Sequence, residues 1–151
     1  MIAEIDKIAP PVEILLVEDN RGDARLTREA LKEGKVYNNL HWVKDGVEAL
    51  DFLHKRGKHE GAPKPDIILL DLNLPKKDGR EVLQEIKADE GLMRIPVVVL
   101  TTSKAEEDVL RTYALHANCY VTKPVDLEQF IKVVKSIDNF WLTVVTLPDG
   151  K

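Results

Sequence analysis

This sequence has very few cysteines, no strong excess of one charge and no long apolar runs. Each of these features excludes a class of protein. Cys119 is the single cysteine among 151 residues, which excludes an internal disulfide and a zinc site built from several cysteines. The chain has 22 basic and 26 acidic residues, so it lacks the basic excess that favours binding to nucleic-acid phosphates. Its apolar runs fall far short of the roughly 20 residues of a membrane span, and its first residues lack a signal-peptide pattern. We expect a cytoplasmic protein that binds neither nucleic acid nor membrane.

Short apolar segments alternate with amphipathic ones along the chain. Five segments are predicted to be strands: Ile14–Val17, Leu40–Val43, Ile67–Leu70, Val97–Leu100 and Cys119–Val121. Four of them are almost continuously apolar, as is typical of strands covered on both faces, and the one carrying His41 is the expected edge. Asp45 and Asp78, each followed three residues later by glutamate, are predicted to cap helices between strands. This alternation predicts an α/β fold, a doubly wound parallel sheet with helices on both faces.

Composition divides the chain into three parts. Residues 1–11 are predicted to be a flexible lead-in and residues 12–139 a single domain, while residues 140–151 form an apolar C-terminal extension. The extension begins with Phe140, Trp141 and Leu142, which would promote aggregation if a monomer exposed them. Two interpretations stay open: the extension folds back over its own helices, or it forms a homodimer interface with the last helix. That helix is predicted from the apolar spacing of Leu127, Phe130, Ile131, Val134 and Ile137.

Charged and hydroxyl side chains follow four of the five predicted strands. Glu18 and Asp19 follow the first strand, Asp71 the third, Thr101 the fourth and Lys123 the fifth. Doubly wound folds gather their chemistry at this carboxyl edge, so these side chains are expected to lie together. Three adjacent carboxylates repel one another unless a cation is bound, and their hard oxygens favour Mg²⁺ or Mn²⁺. The sequence therefore predicts a divalent metal site.

The same cluster is suited to accepting a phosphoryl group. Asp71 is ionised at neutral pH and needs no base to act as a nucleophile, while Lys123 and the Thr101 hydroxyl would each bond one phosphoryl oxygen. Asp19 and Asp71 would bind the metal directly, the Asn73 backbone carbonyl would also reach it, and Glu18 would hold one of its waters. Each residue alone has an ordinary explanation as a turn former, a helix-entry acid or a surface lysine. Their joint order along the chain favours the site.

These residues resemble the receiver domain of two-component response regulators across residues 13–139. The resemblance is carried by the acidic pair Glu18-Asp19, the phosphoacceptor motif Asp71-Leu72-Asn73-Leu74-Pro75, the hydroxyl of Thr101, the aromatic Tyr120 and Lys123-Pro124. It implies a flavodoxin-like or CheY-like sheet of five strands in the order 2-1-3-4-5. It also implies that a sensor histidine kinase phosphorylates Asp71, and that Thr101 and Tyr120 switch the protein-binding surface in response.

The chain is more narrowly similar to the small stand-alone regulators that serve bacterial phytochrome kinases. The similar segments are Val17–Asn20, Leu70–Pro75, Leu100–Ser103 and Phe140–Leu142. This similarity implies a signalling protein rather than an enzyme, whose only chemistry is its own phosphorylation and dephosphorylation. With no segment assigned to an output domain, its output is expected to be contact with a downstream protein. An intermediate in a phosphorelay, which returns phosphate to a phosphotransfer partner, and a phosphorylation-independent docking module are the alternatives.

Two unrelated functions are less compatible with the residues. Phosphohydrolases of the haloacid-dehalogenase type place a second aspartate two residues after the nucleophile as a general acid, and here that position is Asn73. A flavodoxin-like flavin carrier would place a Ser/Thr/Gly-rich phosphate loop after the first strand, where this chain has Asn20-Arg21-Gly22-Asp23. Both features favour the phosphoacceptor interpretation.

Overall fold

Five parallel strands form one sheet in this computed structural model, which describes residues 11–33, 38–101, 119–123 and 128. In chain order the strands are β1 (Val12–Val17), β2 (Asn38–Val43), β3 (Ile67–Asp71), β4 (Val97–Thr101) and β5 (Cys119–Thr122). Their spatial order is β2-β1-β3-β4-β5, and every neighbouring pair is parallel. The predicted order and the predicted edge position of the second strand are therefore confirmed.

Three α-helices connect these strands within the described residues. They are α1 (Arg21–Glu33), α2 (Gly46–Leu53) and α3 (Gly79–Ala88), and a short 3₁₀ helix (Gly57–His59) follows α2. None of the described helices is both long and apolar enough to cross a membrane. The predicted lead-in up to residue 10 and the C-terminal extension lie outside the described residues.

Each of the three α-helices begins where a polar side chain accepts a hydrogen bond from the first turn. The Glu48 backbone N–H donates to Asp45 Oδ1 at 2.8 Å, and the Arg80 backbone N–H donates to Asp78 Oδ1 at 3.0 Å. These bonds confirm the two predicted caps. Helix α1 begins at Arg21, because Asn20 Oδ1 accepts from the backbone N–H of Asp23 at 2.9 Å. Asn20 is therefore a cap that the sequence pattern did not single out.

The apolar side chains of the strands bury both faces of the sheet. On one face, residues of α2 and α3 pack with Leu15, Val17, Ile68, Leu70, Val97 and Val99. On the other, Ala24 and Leu31 of α1 pack with Ile14, Leu16, Ile67, Leu69, Val98, Leu100 and Val121. Complete burial of one Leu or Ile side chain contributes about 1.5–3 kcal/mol. The two apolar layers leave the strand ends as the place where polar groups gather.

The loop that follows β3 is closed by a short set of backbone hydrogen bonds. The Leu72 carbonyl accepts from the backbone N–H of Leu74 at 3.1 Å and from that of Gly79 at 3.0 Å. A Cβ atom on Gly79 would lie only 2.5 Å from the carbonyl oxygen of Asp71 and 2.5 Å from Leu72 Cα. The start of α3 therefore packs directly against the backbone of Asp71, and only glycine leaves room for that approach.

We predict that Gly79→Ala lowers the free energy of unfolding by about 1–3 kcal/mol, because the new methyl group forces backbone apart in a packed region. Gly61→Ala is the matched control, since a Cβ there would have no heavy atom within 4 Å. Urea unfolding followed by circular dichroism measures both variants. Equal stability of the two would show that the approach of α3 to Asp71 is not tight.

Candidate phosphoacceptor site

Side chains from three different strand ends converge at the carboxyl edge of the sheet. Glu18 and Asp19 directly follow β1, Asp71 is the last residue of β3, and Lys123 directly follows β5. The backbone N–H of Lys123 donates to the Thr101 carbonyl at 2.8 Å, which extends the pairing of β4 with β5 by one residue. The register of the parallel strands thus sets the relative positions of these groups.

The Lys123 ammonium lies at the centre of this cluster. Its Nζ atom is 3.1 Å from Asp71 Oδ2, 3.1 Å from Glu18 Oε1 and 2.9 Å from Asp23 Oδ2. Glu18 and Asp71 are almost fully buried, so their carboxylates are shielded from water. Buried charges of like sign are tolerated only with a counter-charge, and Lys123 supplies it.

Glu18 is held on both its side chain and its backbone. Its Oε2 accepts from the backbone N–H of Asn20 at 3.2 Å, and its carbonyl accepts from the Trp42 indole N–H at 2.7 Å. Its own backbone N–H donates to the Val43 carbonyl at 3.0 Å. The end of β1 is therefore fixed to β2, which orients the acidic pair toward β3.

Burial and close charges shift two pKa values in the cluster. Burial, followed by the hydrogen bond and the charge of Asp71, raises the pKa of Glu18 to about 7, against a smaller lowering by Lys123. Burial alone would lower the pKa of Lys123, but its hydrogen bonds to Asp23 and Asp71, together with the charges of Asp71 and Glu18, outweigh burial and raise it. Lys123 is therefore firmly cationic, and in the metal-free site Glu18 binds a proton more strongly than an exposed glutamate does.

The Asp71 carboxylate is oriented by its own loop. Its Oδ1 accepts from the backbone N–H of Asn73 at 3.0 Å, and its Oδ2 accepts from Lys123. Hydrogen bonds therefore hold both oxygens, while the side chain stays near neighbouring acids. Asn73 itself is exposed on this loop, two residues after Asp71.

Three carboxylates of the cluster are close enough to share one cation. One carboxylate oxygen from each of Glu18, Asp19 and Asp71 lies within 4.8 Å of the other two. Carboxylate oxygens suit Mg²⁺ and Mn²⁺, and Asp19 is exposed, so a hydrated ion has access from solvent. The donor set therefore fits a divalent metal ion, in agreement with the sequence-based expectation.

Thr101 and Tyr120 lie on neighbouring strands beside this cluster. Thr101 is fully buried, and its hydroxyl donates to the Val121 carbonyl at 3.5 Å. Tyr120 is partly buried against the apolar layer under α2 and α3, and it pairs with Val99 in the register of β4 and β5. Thr101 follows Val99 by two residues, so side-chain alternation along β4 places Thr101 on the same face of the sheet as Val99. Tyr120, as the partner of Val99, lies on that face as well.

The structure adds one residue that the sequence-based prediction missed. Asp23, in the first turn of α1, makes the shortest of the contacts to Lys123. Its place in the first turn of α1 gave no specific signal, because the helix dipole alone explains an acid at that position. The predicted contact residues Phe140, Trp141 and Leu142 lie outside the described residues.

Comparison with known proteins agrees with this geometry. Residues 14–135 match the family described as the response regulator receiver domain, and the chain belongs to that family. Members are signalling proteins whose receiver domains accept phosphoryl groups from histidine kinases.

Several relatives are similar over nearly their whole length. Response regulator Rcp1 of Synechocystis sp. is 54% identical over 143 residues, which cover 95% of this chain and 97% of the relative. A structure of its Mn²⁺-bound form covers 92% of this chain and 100% of that one, with a TM-score of 0.70. The bacteriophytochrome response regulator AtBRR is 42% identical, with a TM-score of 0.83 and coverage of 92% and 99%. A phosphorylated cyanobacterial phytochrome response regulator, RcpA, is 53% identical, with a TM-score of 0.71 and coverage of 92% and 99%.

We predict that Mg²⁺ changes the fluorescence of Trp42, because its indole is bonded to the backbone of Glu18 and responds when the acidic pair moves. The titration uses Trp141→Phe, which leaves Trp42 as the single tryptophan. Asp19→Asn in that background should raise the half-saturating Mg²⁺ concentration about tenfold or more. A titration curve that is unchanged by Asp19→Asn would contradict the assignment of this cluster to the metal.

Proposed function

We propose that this protein is a response regulator whose phosphoacceptor is Asp71. The observation that carries the proposal is the contact of 3.1 Å between Lys123 Nζ and Asp71 Oδ2, made within a cluster that also holds Glu18 and Asp19. This arrangement places a nucleophilic carboxylate beside a fixed cation and a metal-binding group. These are the parts that phosphoryl transfer requires, since such transfer depends mainly on positioning and on neutralising charge.

The transfer requires little covalent work from the protein. One Asp71 carboxylate oxygen attacks the phosphorus, the bond from phosphorus to the donor breaks, and the donor leaves with that electron pair. Lys123 donates to a phosphoryl oxygen, and the Thr101 hydroxyl bonds to a second one. A divalent ion, when bound, neutralises charge on the remaining oxygen. Its holders are Asp19 and Asp71, with the Asn73 carbonyl and, through water, Glu18.

The same phosphoryl group supplies the signal. When Thr101 turns toward the new oxygens, space opens on the face that it shares with Tyr120, and the tyrosine moves inward. The surface near β5 then changes in shape, which alters its fit to another protein. In physical terms, a local change of charge biases a two-state element.

The donor is a sensor histidine kinase, and we place that kinase in a phytochrome pathway. Support for the pathway comes from the relatives AtBRR and RcpA, which are described as phytochrome response regulators. We assign residues 12–139 to the receiver domain, Mg²⁺ as the metal, and the C-terminal extension with the last helix to a homodimer contact. The chain itself catalyses only its own phosphorylation and dephosphorylation.

We predict that acetyl phosphate with Mg²⁺ adds one phosphoryl group to the intact protein and that hydroxylamine removes it, because an aspartyl phosphate is a mixed anhydride. Intact mass spectrometry measures the adduct. Asp71→Asn should abolish it, since the amide is not a nucleophile of this kind.

Asp78→Asn is the matched control for this experiment. It makes the same acid-to-amide change on the same loop, and asparagine still caps α3. The control should therefore be phosphorylated like the natural protein. An adduct that persists in Asp71→Asn, or one that survives hydroxylamine, would contradict the assignment.

We predict that acetyl phosphate increases dimerisation of the natural chain and that Thr101→Val is phosphorylated without this increase. Valine keeps the shape of Thr101 but cannot bond the phosphoryl oxygen, so the switch is uncoupled from the chemistry. Sedimentation velocity measures the dimer, and mass spectrometry measures the adduct on the same samples. A protein that stays monomeric at high concentration, with and without phosphorylation, would contradict the proposed homodimer. Full dimerisation of phosphorylated Thr101→Val would contradict the proposed switch role of Thr101.

A further inference from the structure

Every N–H bond of the Lys123 ammonium is matched by a different carboxylate. An ammonium group has three donors, and its neighbours are Glu18, Asp23 and Asp71 at 2.9–3.1 Å. A further contact of 3.4 Å to Glu18 Oε2 makes the bond to Glu18 a shared one. The ammonium therefore has no spare donor for an incoming phosphoryl oxygen. One of its present bonds has to break before the new one forms.

Asp23 differs from the other two partners. It is not one of the carboxylates grouped around the candidate cation, and its side chain is 35% exposed, against 1% for Glu18 and 4% for Asp71. Its backbone is fixed in the first turn of α1, where its N–H donates to Asn20 and its carbonyl accepts from Thr27 Oγ1 at 3.1 Å. Its carboxylate is thus held close to the ammonium by a helix rather than by a loop.

We propose that Asp23 is a positioning residue that restrains Lys123 and lowers the affinity of the site for the phosphoryl group. This inference rests on the proposed function, in which Lys123 binds a phosphoryl oxygen on Asp71. The bond to Asp23 is the one that exchanges, because water can solvate this partly exposed carboxylate once it is released. The carboxylates of Glu18 and Asp71 are buried, so water cannot solvate them in the same way.

Charge acts in the same direction as this competition. Three carboxylates already surround one ammonium, and a phosphoryl group brings further negative charge to the same place. Asp23 repels the phosphoryl group and competes with it for the positive charge of Lys123, while contributing nothing to the nucleophile Asp71. Removal of its charge should therefore favour the phosphorylated form on both counts.

The test compares Asp23→Asn with the natural protein in Mg²⁺ and beryllofluoride, an analogue of the phosphoryl group. Asparagine keeps the size of the side chain and leaves the backbone hydrogen bond to Asn20 in place, but it loses the charge. Half-saturation by beryllofluoride should occur at a concentration roughly three- to tenfold lower, and half-saturation by acetyl phosphate should fall in parallel. Binding is read from ¹⁹F NMR, which reports the analogue itself. Asp23→Ser should shift both values in the same direction.

Glu29→Gln is the matched control, because it removes the same charge from the same helix on an exposed side chain paired with Arg25. It should leave both half-saturation values unchanged. In a Lys123→Ala background, Asp23→Asn should lose most of its effect, since Asp23 acts through the ammonium.

Weaker or equal binding of beryllofluoride by Asp23→Asn would overturn the inference, as would an equally large gain in the Lys123→Ala background. A protein that takes no phosphoryl group on Asp71 would instead refute the proposed function. A protein that is phosphorylated on Asp71 and is indifferent to Asp23 would refute this inference alone.

Discussion

The carboxyl edge of this sheet depends on one cation shared among three carboxylates. Without the Lys123 ammonium, Glu18 and Asp71 would be two buried acids of like charge with no counter-charge from the described residues. Their mutual repulsion would favour protonation of one of them and would disturb the ends of β1 and β3. The ammonium thus joins three segments that are more than fifty residues apart along the chain, and the shape of the site follows from that shared contact.

The rest of the fold makes this contact necessary. Both faces of the sheet are covered by helices, so polar groups are confined to the strand ends, where solvent is only partly excluded. Every buried side-chain nitrogen or oxygen of the described residues has a hydrogen-bond partner. Trp42 contributes to this by satisfying the Glu18 carbonyl, and Asn73 does so for Asp71 through its backbone. The residues that complete the hydrogen bonding of the fold therefore also hold the reactive groups in position.

Much of this arrangement can be predicted from the sequence, because it follows from the local pattern of apolar and polar residues. Continuous apolar segments determine strands covered on both faces, and the mixed segment with His41 proved to be the edge strand β2. Since parallel strands end at one edge, the sequence also predicted that Glu18, Asp71 and Lys123 would lie together, and they do. The switch role of Thr101 and Tyr120 stays a prediction.

The features that escaped prediction depend on contacts between distant parts of the chain. Asp23 fits the local pattern of an acid in the first turn of a helix, which the helix dipole alone explains. Its contact with Lys123 spans a hundred residues and forms only when the fold brings the first turn of α1 and the end of β5 to the same edge of the sheet. The Asn20 cap of α1 also escaped prediction, because it precedes an arginine and a glycine rather than an apolar run. Local pattern therefore located the strands better than it located the exact partners of each side chain.

The closed loop after β3 has a consequence for the entropy of binding. Its backbone is already held by the bonds to the Leu72 carbonyl and by the close approach of Gly79. Ordering a free backbone residue costs about 1–2 kcal/mol at room temperature, and this loop has met that cost during folding. An ion or phosphoryl group that arrives at Asp71 therefore finds this loop already preorganised.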